Sequence, residues 1–334
     1  MKKLTLMLLV LVFAFSLAAC GNNPSEVSEQ VEQDQGTQSG TESEESKEES
    51  ETNAEETEGS QTDNALTFTD ASGKEVSFEA APVRIVSLAP SVTEILFALG
   101  LDEKIVGVTE FDDYPEAATT KPKIGGILDG NTEAILAAEP DLVIGGLSLN
   151  EEIIRGLDEL GIKVFTVEPK SIDEVMEVVK LLGEITNTKE QAEVVVVKMS
   201  EEKQKVIDAV SDLSEADKKK VYLEFSEGWT VGSGEFMSEL IELAGGINVA
   251  ADQEGWIQIS EEKIIADNPD SIIYTTKYMD LKPVIMERNG WSEITAIKED
   301  QLIGVNDDLI SRPGPRITQG LIEIAKGIYP ELVK

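Results

Sequence analysis

The alternation of apolar and polar positions predicts regular secondary structure from residue 66 onward. Residues 66–79 alternate apolar and polar side chains around a glycine-containing turn, which predicts an opening β-hairpin. Four short apolar runs follow, each typical of a buried strand: 84–88, 105–108, 141–145 and 163–167. Helical periodicity separates the strands, as in 90–100, where Ser91 and Glu94 have the spacing of a helix-capping pair. Strands that alternate with helices predict a mostly parallel sheet with helices on both faces.

Continuous helical periodicity replaces this alternation between residues 171 and 212. Residues 188–210 predict one helix, roughly 34 Å long at a rise of 1.5 Å per residue. The valines at 194–197 are β-prone, so a buried strand is the alternative for that run, although the Glu, Lys, Gln and Met around them favour a helix. Strands and helices then return, at 220–225, 234–246, 259–276 and 314–329.

One helix–turn–strand segment occurs twice in the chain. Residues 131–145 align without a gap with residues 260–274, at an offset of 129 positions. Six aligned positions are identical, among them Glu133 with Glu262. A Pro-Asp corner before a strand is common turn chemistry, which is the trivial alternative for this echo. Its occurrence once in each half of the chain favours a duplicated structural unit.

The folded part is interpreted as three regions. Lobe 1 comprises residues 66–170, the helical spine residues 171–212, and lobe 2 residues 213–334. We predict an α/β fold in which two αβα sandwich lobes with mostly parallel sheets are joined by a long rigid α-helix of the spine. Such a chain has a cleft at the junction of its lobes, and the loops that follow the strands line it.

Residues 1–19 have the features of a secretion signal. Lys2 and Lys3 precede an apolar run that is shorter than the roughly 20 residues of a membrane span. The run ends in LAAC, which resembles the lipobox of bacterial lipoproteins and implies a lipid on Cys20; an ordinary signal peptide is the alternative. Residues 20–65 predict a disordered linker, because they combine 14 acidic residues with few apolar ones. We expect an extracytoplasmic protein that is attached to the cell membrane through Cys20.

The chain carries a formal net charge of −37, and its acidity extends well beyond the linker. Such a surface disfavours nucleic acid and anionic membranes as partners. It fits an uncharged or cationic ligand, or a basic docking partner, and adaptation to a saline or alkaline habitat is an equal alternative.

Several groups that catalysis and metal binding depend on are missing from the sequence. It contains no histidine, which excludes catalytic triads that need histidine, zinc sites built on histidine and haem ligated by histidine. Phosphate-binding loops, dinucleotide-binding glycine patterns and nucleophile-elbow motifs are missing as well. We therefore expect no enzyme activity, no protein-bound metal and no cofactor. The alternative from a different class is an exported, lipid-anchored enzyme or cell-wall module.

Aromatic and charged residues lie in segments that would meet at the cleft. Phe111 follows the second predicted strand of lobe 1, and Trp229 and Trp256 lie in glycine-containing segments of lobe 2. Asp308 and Arg312 lie in a predicted loop near the C-terminus. Aromatic side chains with a few polar groups suit a large, flat, partly apolar ligand. The alternative for each aromatic residue is a place in the core beneath a loop.

Several sequence blocks together resemble one protein family. The periplasmic binding proteins that feed ABC importers of cobalamin, ferric siderophores and haem are similar in RIVSLAPSVTEILFALG (84–100), VGVTEFDDYP (106–115), KIGGILDGNTEAI (123–135) and WIQISEEKI (256–264). The resemblance covers nearly all of residues 82–330. It implies two lobes that hinge little on binding, and a monomer whose partners are a permease dimer and its ATPase subunits.

The same resemblance offers a reason for the repeated glutamate. In the family, one glutamate on each lobe docks into arginines of the two permease subunits, and the matching residues are Glu133 and Glu262. A two-fold symmetric permease requires a single chain to present its contact twice. The alternative is that both glutamates merely stabilise helix N-termini, where the helix dipole favours a carboxylate.

Within the family, the blocks are most similar to the cobalamin-binding members. Carried over by position, the residues that would contact the corrinoid are Pro90, Ser91, Phe111, Ile127, Leu128, Asp129, Phe225, Trp229, Trp256, Asp308 and Arg312. Ile127 departs from the aromatic residue of those members, so a ferric hydroxamate siderophore and haem stay as alternative ligands. Cobalt would remain within the corrin ring, so no protein metal ligand is implied.

Overall fold

The computed structural model describes residues 65–146 and 148–334. The expected signal segment, Cys20 and all but the last residue of the expected linker lie outside these described residues. No helix in the described part of the chain is long and apolar enough to cross a membrane.

Lobe 1 begins with the predicted hairpin, in which β1 (Leu66–Thr69) pairs antiparallel with β2 (Glu75–Phe78). The Asp70 carboxylate accepts the backbone N–H groups of Lys74 and Thr166, which closes the turn and ties it to the sheet. The other elements of the lobe are β3 (Ile85–Ser87), α1 (Pro90–Ala98), β4 (Ile105–Gly107), α2 (Thr132–Ala137), β5 (Leu142–Gly146), α3 (Glu151–Glu159) and β6 (Lys163–Val167). Strands β3 to β6 form one parallel sheet in the order β4-β3-β5-β6.

Ser91 does not cap helix α1, contrary to the prediction. The helix begins at Pro90 after the N-cap residue Ala89, whose side chain forms no capping hydrogen bond. Proline suits the first turn of a helix because it lacks an N–H group that would stay unpaired there. Glu94, the other member of the predicted capping pair, forms ion pairs with Arg312 and Arg316 of lobe 2 instead.

Two helices connect the lobes, α4 (Ile172–Ile185) and α5 (Lys189–Val210). Helix α5 runs for 22 residues without a break, so the helical prediction for the valine run is confirmed. Its first half contributes Ala192 and Val196 to the core of lobe 1, and its second half contributes Met199 and Val206 to the core of lobe 2. Because one helix is buried in both cores, it holds the two lobes together across their junction.

Lobe 2 contains a parallel sheet and a short hairpin. Its elements are β7 (Lys220–Glu224), β8 (Trp229–Val231), α6 (Phe236–Leu243), β9 (Ile247–Asn248), β10 (Trp256–Gln258), α7 (Glu261–Asp267), β11 (Ser271–Thr275), α8 (Lys282–Glu287), α9 (Thr295–Lys298), β12 (Leu302–Val305), α10 (Asp307–Ser311) and α11 (Ile317–Ile328). The parallel sheet has the order β12-β11-β7-β9, and β8 pairs antiparallel with β10. The hairpin and α10 occupy segments for which the sequence predicted loops.

Apolar side chains cover both faces of each main sheet. In lobe 1, Ile144 and Phe165 belong to one buried cluster, whereas their neighbours Val143 and Val164 belong to another. Strand β7 of lobe 2 shows the same alternation between two clusters. Since successive side chains of a strand point to opposite faces, the paired clusters lie on the two sides of each sheet. The predicted α/β lobes with parallel sheets are confirmed.

The two main sheets have the same strand order. Numbered along the chain, the strands of lobe 1 and the parallel strands of lobe 2 both lie in the order 2-1-3-4 across their sheet. Helix α2 precedes the third strand of lobe 1, and α7 precedes the third strand of lobe 2. The sequence echo therefore marks structurally equivalent positions. Each helix even has the same cap, because Asn131 and Ser260 both accept the N–H group three residues further on.

Candidate functional site

A cleft of about 650 Å³ lies between the two lobes, at the carboxyl edges of their parallel sheets. Lobe 1 contributes residues that follow β3, β5 and β6, and lobe 2 contributes residues that follow β7, β11 and β12. Ligands of open α/β sheets bind outside the carboxyl ends of the strands, because the connecting loops converge there. The cleft is therefore the candidate ligand site.

Eight of the residues that the sequence assigned to ligand contact line this cleft: Pro90, Ser91, Phe111, Ile127, Phe225, Trp256, Asp308 and Arg312. The other three lie outside its lining. Leu128 and Asp129 are exposed on the loop before α2. Trp229 is also exposed, at the start of β8. The structure thus brings the assigned residues of both lobes together, except on the loop before α2 and at the start of the lobe 2 hairpin.

The lobe 2 side of the cleft has an aromatic wall, which consists of Phe225 and Trp256. Their rings meet edge to face, with centroids 5.1 Å apart and planes at 84°. Trp256 is 44% exposed, whereas Trp291 is 1% exposed within the core of lobe 2. An exposed tryptophan in a cleft offers apolar surface that folding has not used, so it is available to a ligand.

A buried ion pair positions this aromatic wall. Glu224, at the end of β7, is fully buried. Its two carboxylate oxygens accept hydrogen bonds from both terminal nitrogens of the Arg288 guanidinium. The same carboxylate accepts the backbone N–H of Gly228 at 2.9 Å. Two parallel hydrogen bonds fix the orientation of the Glu224 carboxylate relative to the Arg288 guanidinium, as well as the distance between them. The turn between β7 and β8 begins with Phe225. It is held in place because Glu224 binds its Gly228 N–H group and is itself fixed by Arg288.

An ionic cluster joins the lobes beside the cleft; its members are Glu94 and Asp113 of lobe 1 and Lys277, Asp308, Arg312 and Arg316 of lobe 2. Arg312 Nη1 lies 3.3 Å from Glu94 and 2.8 Å from Asp113, and Arg312 Nη2 lies 3.1 Å from Asp308. Arg316 Nε donates to Glu94 at 2.8 Å. Lys277 donates to both Asp113 and Asp308. The positive charges in this part of the cleft are thus matched by carboxylates of the protein.

Hydrogen bonds within the ionic cluster favour the charged forms of Asp113 and Lys277. Burial alone would raise the pKa of Asp113, but hydrogen bonds from Lys277 and Arg312 outweigh it and lower this pKa. Burial would lower the pKa of Lys277, but hydrogen bonds to Asp113 and Asp308 raise it overall. Asp113 and Lys277 are therefore both charged at neutral pH.

Reasoning from the sequence missed several residues at the cleft. The lining also includes Ala89, Gly146, Ser148, Val167, Glu168, Pro169, Lys170, Glu235, Phe236, Tyr278, Ser311 and Pro313. Those of lobe 1 directly follow a strand or lie close behind one, so the carboxyl-edge rule could have found them. Asp113 and Lys277 were missed for another reason, because an ion pair between residues 164 positions apart leaves no local pattern in the sequence.

The two repeated glutamates are exposed at equivalent helix starts. Glu133 is the second residue of α2, and Glu262 is the second residue of α7. In parallel sheets, a helix that leads into a strand starts at the carboxyl edge, so both glutamates lie on the cleft side of their lobes. Neither carboxylate forms an ion pair or a side-chain hydrogen bond among the residues that the structure describes.

Within residues 65–146 and 148–334, no group of three or more His, Cys, Asp or Glu side chains is placed to hold a metal ion. Polar groups that could bind a ligand in the cleft are the hydroxyls of Ser91, Ser148 and Ser311, together with the charged groups already named.

Comparison with known proteins places these features in context. A profile of the family described as Periplasmic binding protein matches residues 85–309, which span both main sheets. YvrC of Bacillus subtilis, an uncharacterized ABC transporter substrate-binding lipoprotein, is 37% identical, covering 80% of this chain and 87% of the relative. A cobalamin-binding protein of Halobacterium salinarum is 29% identical, covering 79% of this chain and 74% of the relative.

A solved structure is similar over the same part of the chain. A possible iron-binding (periplasmic solute-binding) protein from Staphylococcus epidermidis has a TM-score of 0.66 and 33% sequence identity. The similarity covers 75% of this chain and 100% of that chain. Proteins described by different ligands, cobalamin in one case and iron in the other, are thus similar to most of this chain.

Proposed function

The chain belongs to the periplasmic binding protein family, a family of solute-binding proteins, and we propose that it captures cobalamin in the cleft and delivers it to the permease of an ABC importer. As a substrate-binding protein of an ABC transporter, it has a small-molecule ligand and works with permease and ATPase subunits. Cobalamin as the ligand and the manner of docking are our proposals, and each rests on separate residues.

The observation that carries the ligand proposal is the combination of apolar walls and matched charges in the cleft. Phe111 and Ile127 of lobe 1 lie in the same lining as Phe225 and Trp256 of lobe 2. The ionic cluster leaves no excess of positive charge for an anionic ligand. A corrin ring with neutral amide side chains is large, flat and uncharged, so it suits such a cleft. The cobalamin-binding relative from Halobacterium salinarum supports the same choice.

A ferric hydroxamate siderophore and haem are the alternatives. A neutral ferric hydroxamate satisfies the same charge argument, and the possible iron-binding neighbour from Staphylococcus epidermidis favours it. One observation favours haem, because Tyr278 lines the cleft and its hydroxyl lies 3.3 Å from Arg312, where a tyrosine ligand for iron would be accessible. The two propionates of haem, however, would need cations that Glu94, Asp113 and Asp308 already bind.

We propose that Glu133 and Glu262 dock onto the two permease subunits. Both are exposed at equivalent helix starts, and the identical strand order of the lobes places them as a pseudo-symmetric pair. A two-fold partner is best met by two copies of one contact. Charges at the rim of an interface mainly guide encounter and register, so these glutamates would select the partner without touching the ligand.

We propose that the chain is held at the outer face of the cell membrane through a lipid on Cys20. The relative from Bacillus subtilis is described as a lipoprotein, which supports this localisation. The linker that follows Cys20 carries 14 acidic residues and would keep the binding lobes away from anionic headgroups.

A thermal-shift measurement tests the ligand proposal. Purified protein is heated with cyanocobalamin, ferrichrome or haemin, all at one concentration; a ligand that is then at about a hundred times its Kd adds roughly 2.7 kcal/mol of stability. We expect a clear rise in Tm with cyanocobalamin and a smaller one or none with the other two. A rise with ferrichrome or haemin alone would replace cobalamin by that ligand. If none of the three raises the Tm, the cobalamin proposal and both of its alternatives fail, and the cleft binds a solute of another class.

A further inference from the structure

The cations that face the cleft are paired with carboxylates at both ends of its lining. Lys170 lies 3.0 Å from Glu168, and Glu235 lines the cleft near them. At the other end, Arg312 and the neighbouring Lys277 are held by the ionic cluster. Within the part of the chain that the structure describes, the cleft therefore presents no positive side chain without an acidic partner.

Asp113 differs from the other carboxylates of the ionic cluster in its exposure. The side chains of Glu94 and Asp308 are 2% and 4% exposed, whereas that of Asp113 is 43% exposed. Asp113 belongs to lobe 1, yet it accepts hydrogen bonds from both Lys277 and Arg312 of lobe 2. Asp113 lies outside the cleft lining, but it pairs with Arg312, which lines the cleft, and so reduces the positive charge that Arg312 presents there.

We infer that Asp113 is a specificity-determining residue, because its carboxylate neutralises Arg312 and Lys277 and so makes the cleft select uncharged ligands over anionic ones. The inference rests on the proposed function in taking the cleft as the ligand site, but it holds for a neutral corrinoid and a neutral ferric hydroxamate alike. An anionic ligand that binds Arg312 in the cleft would have to displace Asp113 from this guanidinium or share it with the Asp113 carboxylate. Either course costs binding energy, since charges in a partly enclosed cleft are weakly screened.

The substitution Asp113→Asn removes the charge and keeps the shape of the side chain. It leaves Glu94 and Asp308 in place, so Arg312 and Lys277 stay anchored while the net charge of the ionic cluster becomes more positive by one. The matched control is Asp102→Asn, which removes a lobe 1 carboxylate that pairs with Lys121 at 2.6 Å and makes no contact with Arg312 or Lys277. Both variants lose one negative charge, so they have the same net charge.

Isothermal titration with ligand pairs of different charge tests the inference. The first pair is cyanocobalamin and its monocarboxylic acids, in which one amide side chain has become a carboxylate. The second pair is ferrichrome and the trianionic ferric enterobactin. We expect wild type and Asp102→Asn to prefer the uncharged member, and Asp113→Asn to reduce that preference by about tenfold, equivalent to 1.4 kcal/mol. Thermal unfolding of all three proteins verifies that each is folded.

The two proposals fail in different ways. An unchanged preference in Asp113→Asn, or a wild-type preference for the anionic member, would overturn the role of Asp113 while the cleft stays the ligand site. If wild type binds ferrichrome and not cyanocobalamin, the cobalamin proposal fails. A reduced preference within the ferrichrome pair in Asp113→Asn would then still support the role of Asp113.

Discussion

The two lobes have the same strand order but carry different chemistry. In both, a capped helix with an exposed glutamate leads into the third strand of a parallel sheet. In the cleft the likeness ends, because lobe 2 supplies the arginines and the aromatic hairpin, and lobe 1 supplies Glu94 and Asp113. The offset of 129 positions that pairs Glu133 with Glu262 also pairs Ile127 with Trp256.

This difference between the lobes is explained by two functions, docking to a partner and binding a ligand. A partner with two-fold symmetry favours two equal contacts, so the outer helix starts stay alike. A ligand without that symmetry favours two unlike walls, so the positions six residues earlier have diverged into isoleucine and tryptophan.

The largest effect is expected from reversing both repeated charges. Glu133→Arg combined with Glu262→Arg should abolish uptake of the ligand by cells, because two like charges would face the arginines of the proposed permease. Ligand affinity of the purified protein should stay within about twofold of wild type, since neither residue lines the cleft. Uptake of labelled ligand by cells and titration of the purified variant measure the two quantities.

A control with the same change in net charge distinguishes docking from general electrostatics. Glu190→Arg combined with Glu201→Arg reverses two exposed glutamates on α5 of the spine. This variant should import ligand normally. Normal uptake by the Glu133 and Glu262 variant would contradict the docking role and leave both residues as helix-stabilising acids.

The next largest effect is on stability. It concerns the last residue of the first parallel strand, which differs between the lobes. Strand β3 ends in Ser87, whose hydroxyl accepts from Thr93 at 2.8 Å, whereas β7 ends in Glu224, paired with Arg288. Glu224→Gln should lower the free energy of unfolding by about 3–5 kcal/mol, because it leaves a buried guanidinium without its counter-charge. Ser87→Ala should cost about 2 kcal/mol, since it removes two neutral hydrogen bonds, one from Thr93 and one to the Ala89 carbonyl.

Urea denaturation followed by circular dichroism compares these variants. Adding Arg288→Met to Glu224→Gln should recover much of the lost stability, because the unpaired charge is then gone. A double variant as unstable as the single one would show that packing around Glu224, and not its charge, supports the turn before β8.

The fold was largely predictable from the sequence, because buried parallel strands and amphipathic helices have clear periods. Strands β8 and β10 have three residues each and β9 has two, which is too short to establish a period of two. Helix α10, of five residues, lies in a segment that contains turn-forming residues and was predicted as a loop for the same reason. Strands β3 and β4 also have three residues each, but they lie in apolar runs, so length and composition together decided which elements could be recognised.

The candidate site was predictable where residues follow a strand and not where they meet across the lobes. Phe225 and Trp256 could be named from their positions in the chain, and both line the cleft. The pairing of Asp113 with Lys277 depends on how two lobes sit together, which no local pattern records. The predicted capping role of Glu94 was wrong because a long-range ion pair with Arg316 took its place.

The smallest effects are expected on ligand affinity, at the equivalent positions Ile127 and Trp256 of the two cleft walls. Trp256→Ala should weaken ligand binding by about 1–3 kcal/mol, as the loss of an aromatic anchor does. Ile127→Ala should cost at most about 1 kcal/mol, because it removes a small, partly buried aliphatic surface. Titration with the ligand identified by thermal shift measures both changes.

Trp229→Ala is the matched control for the tryptophan, since it makes the same change on the same hairpin but outside the cleft lining. It should leave affinity close to that of wild type. A loss equal to that of Trp256→Ala would extend the ligand site along the hairpin, as the family resemblance predicted. Equal losses for Ile127→Ala and Trp256→Ala would instead mean that the two walls contribute alike. The asymmetry between the lobes would then lie in their charges alone.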